Sequence, residues 1–335
     1  ISSTLAITSA MKMVASAKLQ KAQMAIQNML PYERRLYSML VDLMGAMNIS
    51  AAASEDGSVR GSGSAERGFD QSGDRLSLSN RHDLAGMDGA YSLMAQREVR
   101  KVAIVAFASN SSLCGAFNSN AIREATAVIN EYRASGLRDS DIVVYSVGRK
   151  MAEAMRKLGF PSPADFTKMS DSPSYEAASA LAQELLDGFV SGRFDKVELV
   201  YNHYKSTSSQ PTTRQTYLPL SLADATADLQ AGKIADSASE TDTNKVAEPV
   251  GAPVVRQGSP TTEDLIVEPS KEALIATLLP KVIRLRIFTT LLDSAAAEHA
   301  ARTVAMQLAT DNGNDLLQEL TLEYNKGRQQ KITSE

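Results

Sequence analysis

The 335-residue chain contains no tryptophan and only one cysteine, Cys114. A single cysteine excludes an internal disulfide bond and is compatible with a reducing compartment. Aromatic residues make up 5% of the chain, so packing has to rely mainly on aliphatic side chains and methionine. No apolar run approaches the roughly 20 residues that a membrane-spanning helix needs.

The chain also has little excess charge of either sign, with 35 basic and 39 acidic residues. The formal net charge is -4, which gives no electrostatic reason to expect nucleic acid as a partner. Hydrophobic residues account for 43% and charged residues for 22% of the chain, as in an ordinary folded protein. Because 335 residues exceed the usual size of a single core, the length predicts one elongated and one globular domain.

The strongest helical pattern lies at the two ends of the chain. Near the N-terminus, apolar positions alternate between three- and four-residue spacing over about six heptads, which is typical of a left-handed coiled coil. We therefore predict one helix from near residue 1 to about residue 46. The positions of this seam are Leu5, Thr8, Lys12, Ala15, Leu19, Ala22, Ile26, Met29, Glu33, Leu36, Leu40, Leu43 and Met47.

The C-terminal part is also predicted to be helical, beginning near Ser270 and continuing to the last residue. Residues 311–314 (DNGN) could form a turn, and Gly327 weakens a helix interior, but the pattern favours one continuous helix. Alanines are dense between residues 295 and 309, and small side chains allow two helix backbones to approach closely. Two long terminal helices are therefore expected to pair side by side and antiparallel.

The middle of the chain alternates between strand and helix patterns. Strands are predicted at residues 101–108, 142–147, 196–204 and 213–218, with helices at 119–134, 149–158 and 174–190 and a short strand at 164–168. This alternation favours an α/β domain with a mostly parallel sheet. The predicted division is 1–49 (N-terminal helix), 50–98 (low-complexity insertion), 99–221 (α/β domain), 222–263 (low-complexity insertion) and 264–335 (C-terminal helix).

The sequence contains no pattern typical of a catalytic site. The loop after the first predicted strand, residues 109–118, contains one glycine, whereas a dinucleotide fingerprint needs three. Neither a GxxxxGK[ST] loop nor a metal-ligand spacing among the three histidines occurs in the sequence. Cys114 is interpreted as a small buried hydrophobic residue. We expect no catalytic residue, no metal and no cofactor in this chain.

Five segments resemble parts of a known family. Residues 7–19 (ITSAMKMVASAKL) resemble the N-terminal helix of the gamma subunit of F-type ATP synthase. Residues 297–306 (AEHAARTVAM), 309–312 and 324–329 resemble its C-terminal helix, and residues 113–120 (LCGAFNSN) resemble its signature after the first strand. The resemblance covers both terminal helices and the α/β core. Residues of about 50–90 and 222–263 look like insertions.

The resemblance implies the central stalk of a rotary motor. The antiparallel terminal helices would form a shaft inside a ring of alternating alpha and beta subunits. A Rossmann-like domain would sit at the foot, against the epsilon subunit and the membrane rotor ring. Catalysis would belong to the beta subunits, and the chain would be peripheral, on the cytoplasmic face of a bacterial inner membrane. Neither predicted insertion contains cysteine, so the thiol switch of the chloroplast form is not expected.

The resemblance also implies a set of partner-binding residues. Met11 and Arg302 match positions that contact the beta subunit, and Glu268 matches an acidic residue in the foot near the rotor ring. Lys12 belongs to a basic cluster on the first helix that is suited to an acidic partner. The "catch" (Arg328, Gln329 and Thr333) matches residues that hydrogen-bond a beta-subunit loop near the top of the shaft.

The match has departures, and two other hypotheses stay open. Leu5 and Ala6 stand where the family usually carries Gln or Arg followed by Lys. The family's helices extend beyond both ends of this sequence, so an incomplete shaft tip is expected. One alternative is a small-molecule-binding α/β protein with coiled-coil arms for dimerisation, and another is a coiled-coil scaffold without a ligand.

Overall fold

The computed structural model describes residues 2–46, 93–220 and 271–334. Residues 50–92 of the first predicted insertion, all of the second and Glu268 lie outside the described residues. The chain divides into two compact units. One comprises residues 1–31, 99–217 and 284–335, and the other comprises residues 32–98 and 218–283.

The first helix, α1, runs from Ser2 to Ala46 and passes through Pro31 without interruption. Its 45 residues correspond to a length of about 68 Å. Every described position of the predicted seam, from Leu5 to Leu43, is buried or half-buried. The alternating three- and four-residue spacing therefore predicted both the extent of the helix and the face that it packs, while Met47 lies outside the described residues.

The α/β part contains a four-stranded sheet with the strand order β2-β1-β3-β4. Strand β1 pairs in parallel with both β2 and β3. Only residues 203–211 connect β3 to β4, which is too short for a parallel crossover, so β4 is an antiparallel edge strand. The elements are β1 (Val102–Phe107), α2 (Phe117–Ala134), β2 (Ile142–Val147), α3 (Arg149–Lys157), α4 (Thr167–Asp171), α5 (Tyr175–Val190), β3 (Lys196–Asn202) and β4 (Thr212–Leu218).

The core of this part is built on β1, whose six residues are all buried. Alternate side chains of a strand point to opposite faces, so a strand buried throughout must be covered on both. On one face, Ile104 and Ala106 belong to a cluster with residues of α2 and α3, among them Ala125, Val128 and Met151. The compact apolar run of residues 101–108 predicted such a strand, and the mostly parallel sheet is confirmed.

One predicted element is wrong. Residues 164–168 do not form a strand, and the helix α4 begins within this segment, at Thr167. The side chain of Asp165 accepts a hydrogen bond from the backbone N–H of Thr167 at 2.9 Å. Such a local turn offers the backbone an alternative to a sheet ladder, and it starts the helix here.

The last helix, α6, runs from Lys271 to Ser334 and is continuous through residues 311–314 and Gly327. Its 64 residues correspond to about 96 Å, and the turn considered for residues 311–314 does not form. None of the helices described, α6 included, has the length and hydropathy required to cross a membrane.

Helices α1 and α6 pair antiparallel within the first unit. The hydroxyl oxygens of Thr8 and Thr310 are 3.0 Å apart, whereas Leu19, further along α1, packs against Ala296 and Ala300, further back along α6. Both alanines are fully buried, as the density of small residues predicted. The antiparallel pairing of the terminal helices is thus confirmed.

The second unit contains the C-terminal part of α1, the first residues of α6 and the segments around Leu93 and Leu220. The backbone N–H of Leu220 donates to the carbonyl oxygen of Leu93 at 3.0 Å. Its buried apolar side chains are Leu36, Tyr37, Leu40, Leu43, Leu93, Leu218, Leu220, Ile275, Leu279, Val282 and Ile283.

Two glycines inside α6 provide a matched test of the close helix approach. A Cβ atom at Gly313 would lie 2.6 Å from Leu5 Cδ2, whereas one at Gly327 would meet nothing within 4 Å. Gly327→Ala should stabilise α6 by about 1 kcal/mol through helix propensity alone. Gly313→Ala should stabilise α6 by less, because the Leu5 side chain has to move to make room for the new methyl group. Amide hydrogen exchange along α6 measures both, and equal gains would contradict the close approach at Gly313.

Candidate functional site

The carboxyl edge of the sheet is where an open α/β fold usually binds a ligand. Strands β2 and β3 lie on opposite sides of β1, so the strand order reverses at the end of β1. The Asn110 side chain fills this point. Its oxygen accepts from the backbone N–H of Arg149 at 2.7 Å, and its Nδ2 donates to the carbonyl oxygen of Thr167 at 2.7 Å. The N-terminus of α3, a typical anion site, is therefore satisfied by the chain itself.

Helix α6 covers the rest of this edge. Leu291, Ser294 and Glu298 of α6 face Phe107 and Val147 at the strand ends across a cavity of about 10 Å³. A cavity of this size holds roughly one water molecule. The crevice that would accept a nucleotide in a Rossmann-like protein is thus occupied by α6.

The single cysteine and the described histidines do not form a reactive or metal-binding cluster. Cys114 is buried, burial raises its pKa, and its sulfur accepts a hydrogen bond from Asn118 Nδ2 at 3.1 Å. His203 pairs with Asp293, and burial lowers the pKa of His299 to about 4. Within the described ranges no group of three His, Cys, Asp or Glu side chains could hold a metal ion. His82 lies outside the described residues.

Arg302, a predicted partner-binding residue, is held within its own chain. Its Nη2 donates to Glu298 Oε1 at 2.8 Å and to Ser111 Oγ at 2.6 Å. The Arg302 side chain is only 12% exposed. Burial raises the pKa of Glu298, and the positive charge of Arg302 acts against this rise. The hydrogen bond from Arg302 to Ser111 therefore ties α6 to the loop after β1.

The other predicted residue pair lies on α1. Met11 and Lys12 are both half-buried, and they are surrounded in sequence by exposed apolar side chains. Ile7, Met13 and Val14 are 59%, 66% and 57% exposed. The first 32 residues contain three lysines and no acidic residue. This part of α1 thus presents an apolar and basic surface to its surroundings.

The end of α6, residues 314–334, is exposed throughout except at Asn325, which is half-buried. This 21-residue tail corresponds to about 31 Å of helix. It carries the whole predicted catch. Thr333 Oγ1 donates to the carbonyl oxygen of Gln329 at 2.7 Å. The large apolar side chains exposed on the tail are Leu316, Leu317, Leu320, Leu322, Tyr324 and Ile332.

Sequence reasoning missed one cluster that joins the α/β part to the helices. Asp293 on α6 accepts from the backbone N–H of Tyr204 at 2.9 Å, and the Tyr204 hydroxyl accepts from Gln23 on α1 at 2.6 Å. No local pattern identifies these residues, because they lie 89 and 181 positions apart in the chain.

Comparison with known proteins identifies the family. A family model described as ATP synthase matches residues 1–335. The ATP synthase gamma chain of Phocaeicola vulgatus is 45% identical over 335 residues, which cover 100% of this chain and 92% of that protein. The gamma chain of Bacteroides thetaiotaomicron is 42% identical with the same coverage. The chain belongs to the ATP synthase gamma chain family.

Two solved structures similar to this gamma-family chain come from mitochondrial ATP synthases. The central stalk and c-ring structure from Tetrahymena thermophila has a TM-score of 0.47 and 19% identity, covering 91% of this chain and 99% of that chain. The rotor from Euglena gracilis has a TM-score of 0.43 and 17% identity, covering 99% and 100%. Membership in the gamma chain family confirms the resemblance seen in residues 7–19, 113–120, 297–306, 309–312 and 324–329. The small-molecule-binding alternative is not favoured.

Proposed function

We propose that the chain is the central rotor subunit of a proton-translocating F-type ATP synthase. It transmits torque between the membrane rotor ring and the catalytic alpha/beta hexamer. The observation that carries this proposal is the match to the ATP synthase gamma chain family over the whole of residues 1–335. The exposed tail of α6 supports it. Single helices are marginal in water, and burying a Leu side chain contributes about 1.5–3 kcal/mol. A tail with this many exposed apolar side chains is suited to being enclosed by other subunits.

The charges of the paired helices support a rotor role. All charged residues among the first 32 positions are lysines. By contrast, α6 carries Asp311, Asp315, Glu319 and Glu323 at four-residue intervals. Because Gly313 lies opposite Leu5, most of these carboxylates lie further along α6 than the lysines of α1. Neither set of charges has three-fold symmetry, so the three catalytic sites of a surrounding ring meet different charges. Rotation then gives the three sites different contact free energies, which is the differential binding that coupling requires.

The proposed partner contacts follow the family positions. Met11, the exposed edge of the Arg302 side chain and the catch are proposed from these positions to contact the alpha/beta hexamer. Lys12 is proposed to do the same as part of the basic cluster on α1, and Glu268 is proposed to lie near the rotor ring. The chain is non-catalytic, needs no cofactor and is peripheral on the cytoplasmic face of a bacterial inner membrane. The proposal includes five segments: shaft helices at 1–49 and 264–335, an α/β domain at 99–221, and insertions at 50–98 and 222–263.

Reconstitution with alpha and beta subunits tests this function. The complex is expected to hydrolyse ATP and to rotate a bead attached to the α/β part, whereas the isolated chain should have no ATPase activity. Isolated alpha and beta subunits without this chain are the control. Saturable ATP binding by the isolated chain, or its failure to assemble with the hexamer, would count against the proposal.

A further inference from the structure

The loop after β3 is bound by one carboxylate of α6. Asp293 Oδ1 accepts from the backbone N–H of Tyr204 at 2.9 Å, and Asp293 Oδ2 lies 2.6 Å from His203 Nδ1. The Asp293 side chain is 17% exposed, so water competes little for these bonds. The hydrogen bond to Asp293 raises the pKa of His203, against burial and the nearby charge of Lys205.

The Tyr204 side chain extends from this point to α1. Its hydroxyl oxygen accepts a hydrogen bond from Gln23 Nε2 at 2.6 Å. Its ring packs against two apolar clusters that contain residues of both helices and of α2. The first cluster contains Leu19, Ala296 and Ala300, and the second contains Cys114, Phe117 and Ala297.

We propose that Tyr204 is a positioning residue that locks the α/β domain to both helices of the shaft, so that torque reaches α1 and α6 together. The backbone amide of Tyr204 is bound to one helix and its hydroxyl to the other. A turn of the domain around the paired helices therefore has to break at least one polar bond and shear the packed ring. By contrast, the contact between Arg302 and Ser111 ties the domain to α6. The inference rests on the proposed rotor function.

The test measures stiffness in the assembled motor. With the hexamer fixed and stalled, a bead on the α/β domain reports the angular variance of the domain. Tyr204→Phe removes the hydroxyl and keeps the ring, and combination with Asp293→Ala removes both polar ties. We expect the double variant to raise the angular variance about twofold or more, and Tyr204→Phe to raise it by less, as hydrogen bonds of ordinary strength are lost.

A second measurement follows the tie in the isolated chain. Exchange of the Tyr204 amide hydrogen should become about fivefold faster in Asp293→Ala, because its acceptor is gone. Tyr145→Phe is the matched control, since it removes a hydroxyl bond of 2.9 Å to Glu184 inside the α/β domain. This control should leave both the angular variance and the exchange rate of Tyr204 unchanged.

The outcomes separate the inference from the function on which it rests. If the wild-type chain rotates but the angular variance is unchanged in Tyr204→Phe and in the double variant, the role of Tyr204 is overturned. The proposed rotor function then still stands. Failure of the wild-type chain to assemble or rotate would instead contradict the proposed function. Tyr204→Phe retains the packed ring, so it keeps the test decisive if the double variant does not fold.

Discussion

Replacing Glu198 by alanine should lower the free energy of unfolding of the α/β part by about 3 kcal/mol, as expected when a buried ion pair loses one partner. Glu198 lies on β3 and is 1% exposed. It accepts hydrogen bonds from Arg214 Nε at 2.7 Å, Lys196 Nζ at 2.6 Å and the Tyr132 hydroxyl at 2.7 Å. Removal of the carboxylate leaves two cations without their buried partner.

Glu131→Ala is the matched control. Glu131 also contacts Arg214, but its side chain is 62% exposed. Exposed ion pairs contribute little to stability, so this variant should lose less than about 1 kcal/mol of unfolding free energy. Calorimetric unfolding of both variants measures the difference. Equal losses of unfolding free energy in the two variants would show that burial of the Glu198 carboxylate does not determine how much this ion-pair network stabilises the fold.

The same carboxylate predicts a pH dependence. Burial alone would raise the pKa of Glu198, but hydrogen bonds from Arg214, Lys196 and Tyr132 outweigh it and hold the pKa below its usual value. The folded-state pKa is thus lower than the unfolded one, so the stabilisation is present above the unfolded pKa and is lost as the pH falls through the folded one. The stability gap between wild type and Glu198→Gln should therefore narrow below about pH 4.

Changing Gln329 and Thr333 together to alanine should reduce ATP-driven proton pumping about tenfold relative to ATP hydrolysis, as expected for the loss of two intermolecular hydrogen bonds. Both residues lie on the exposed tail of α6. The Thr333 hydroxyl is bound only to its own helix backbone in the described contacts, so its removal should leave the helix intact. Pumping into vesicles and ATP hydrolysis, measured on one preparation, give the coupling ratio.

The same tail offers a matched control, Gln330→Ala with Ser334→Ala. These residues have the same chemistry and the same four-residue spacing, but they are rotated by about 100° around the helix. Ser334 Oγ likewise donates to its own helix, at the carbonyl oxygen of Lys331. The control should leave coupling unchanged. Normal pumping by the first variant would refute the catch assignment, and an equal loss in the control would show that it is not specific.

Repeating patterns made the elements predictable. The seam of α1 and the strand β2 were predicted with their observed positions because helix and strand periods depend on neighbours a few residues away. The strand predicted at residues 164–168 does not form because the Asp165 side chain accepts a hydrogen bond from the backbone N–H of Thr167, which outweighs the weak strand pattern.

Residues of the candidate site could be predicted only where they belong to a local sequence motif of the family. The family was indicated by residues 7–19, 113–120, 297–306, 309–312 and 324–329. Gln329 and Thr333 were selected by that match. The internal pairing of Arg302 with Ser111 was not foreseen, since 191 positions separate the two residues. The tie through Tyr204 was missed for the same reason.

The amino-acid sequence by itself determined the two terminal helices, the alternation of strands and helices between them, and the motifs of the gamma chain family. Each depends on residues close together in the chain. Only the tertiary structure decided that α6 fills the crevice at the end of β1, that Glu198 is buried among cations, and that Tyr204 joins both helices to the sheet. These contacts link distant residues, so they exist only once the chain has packed.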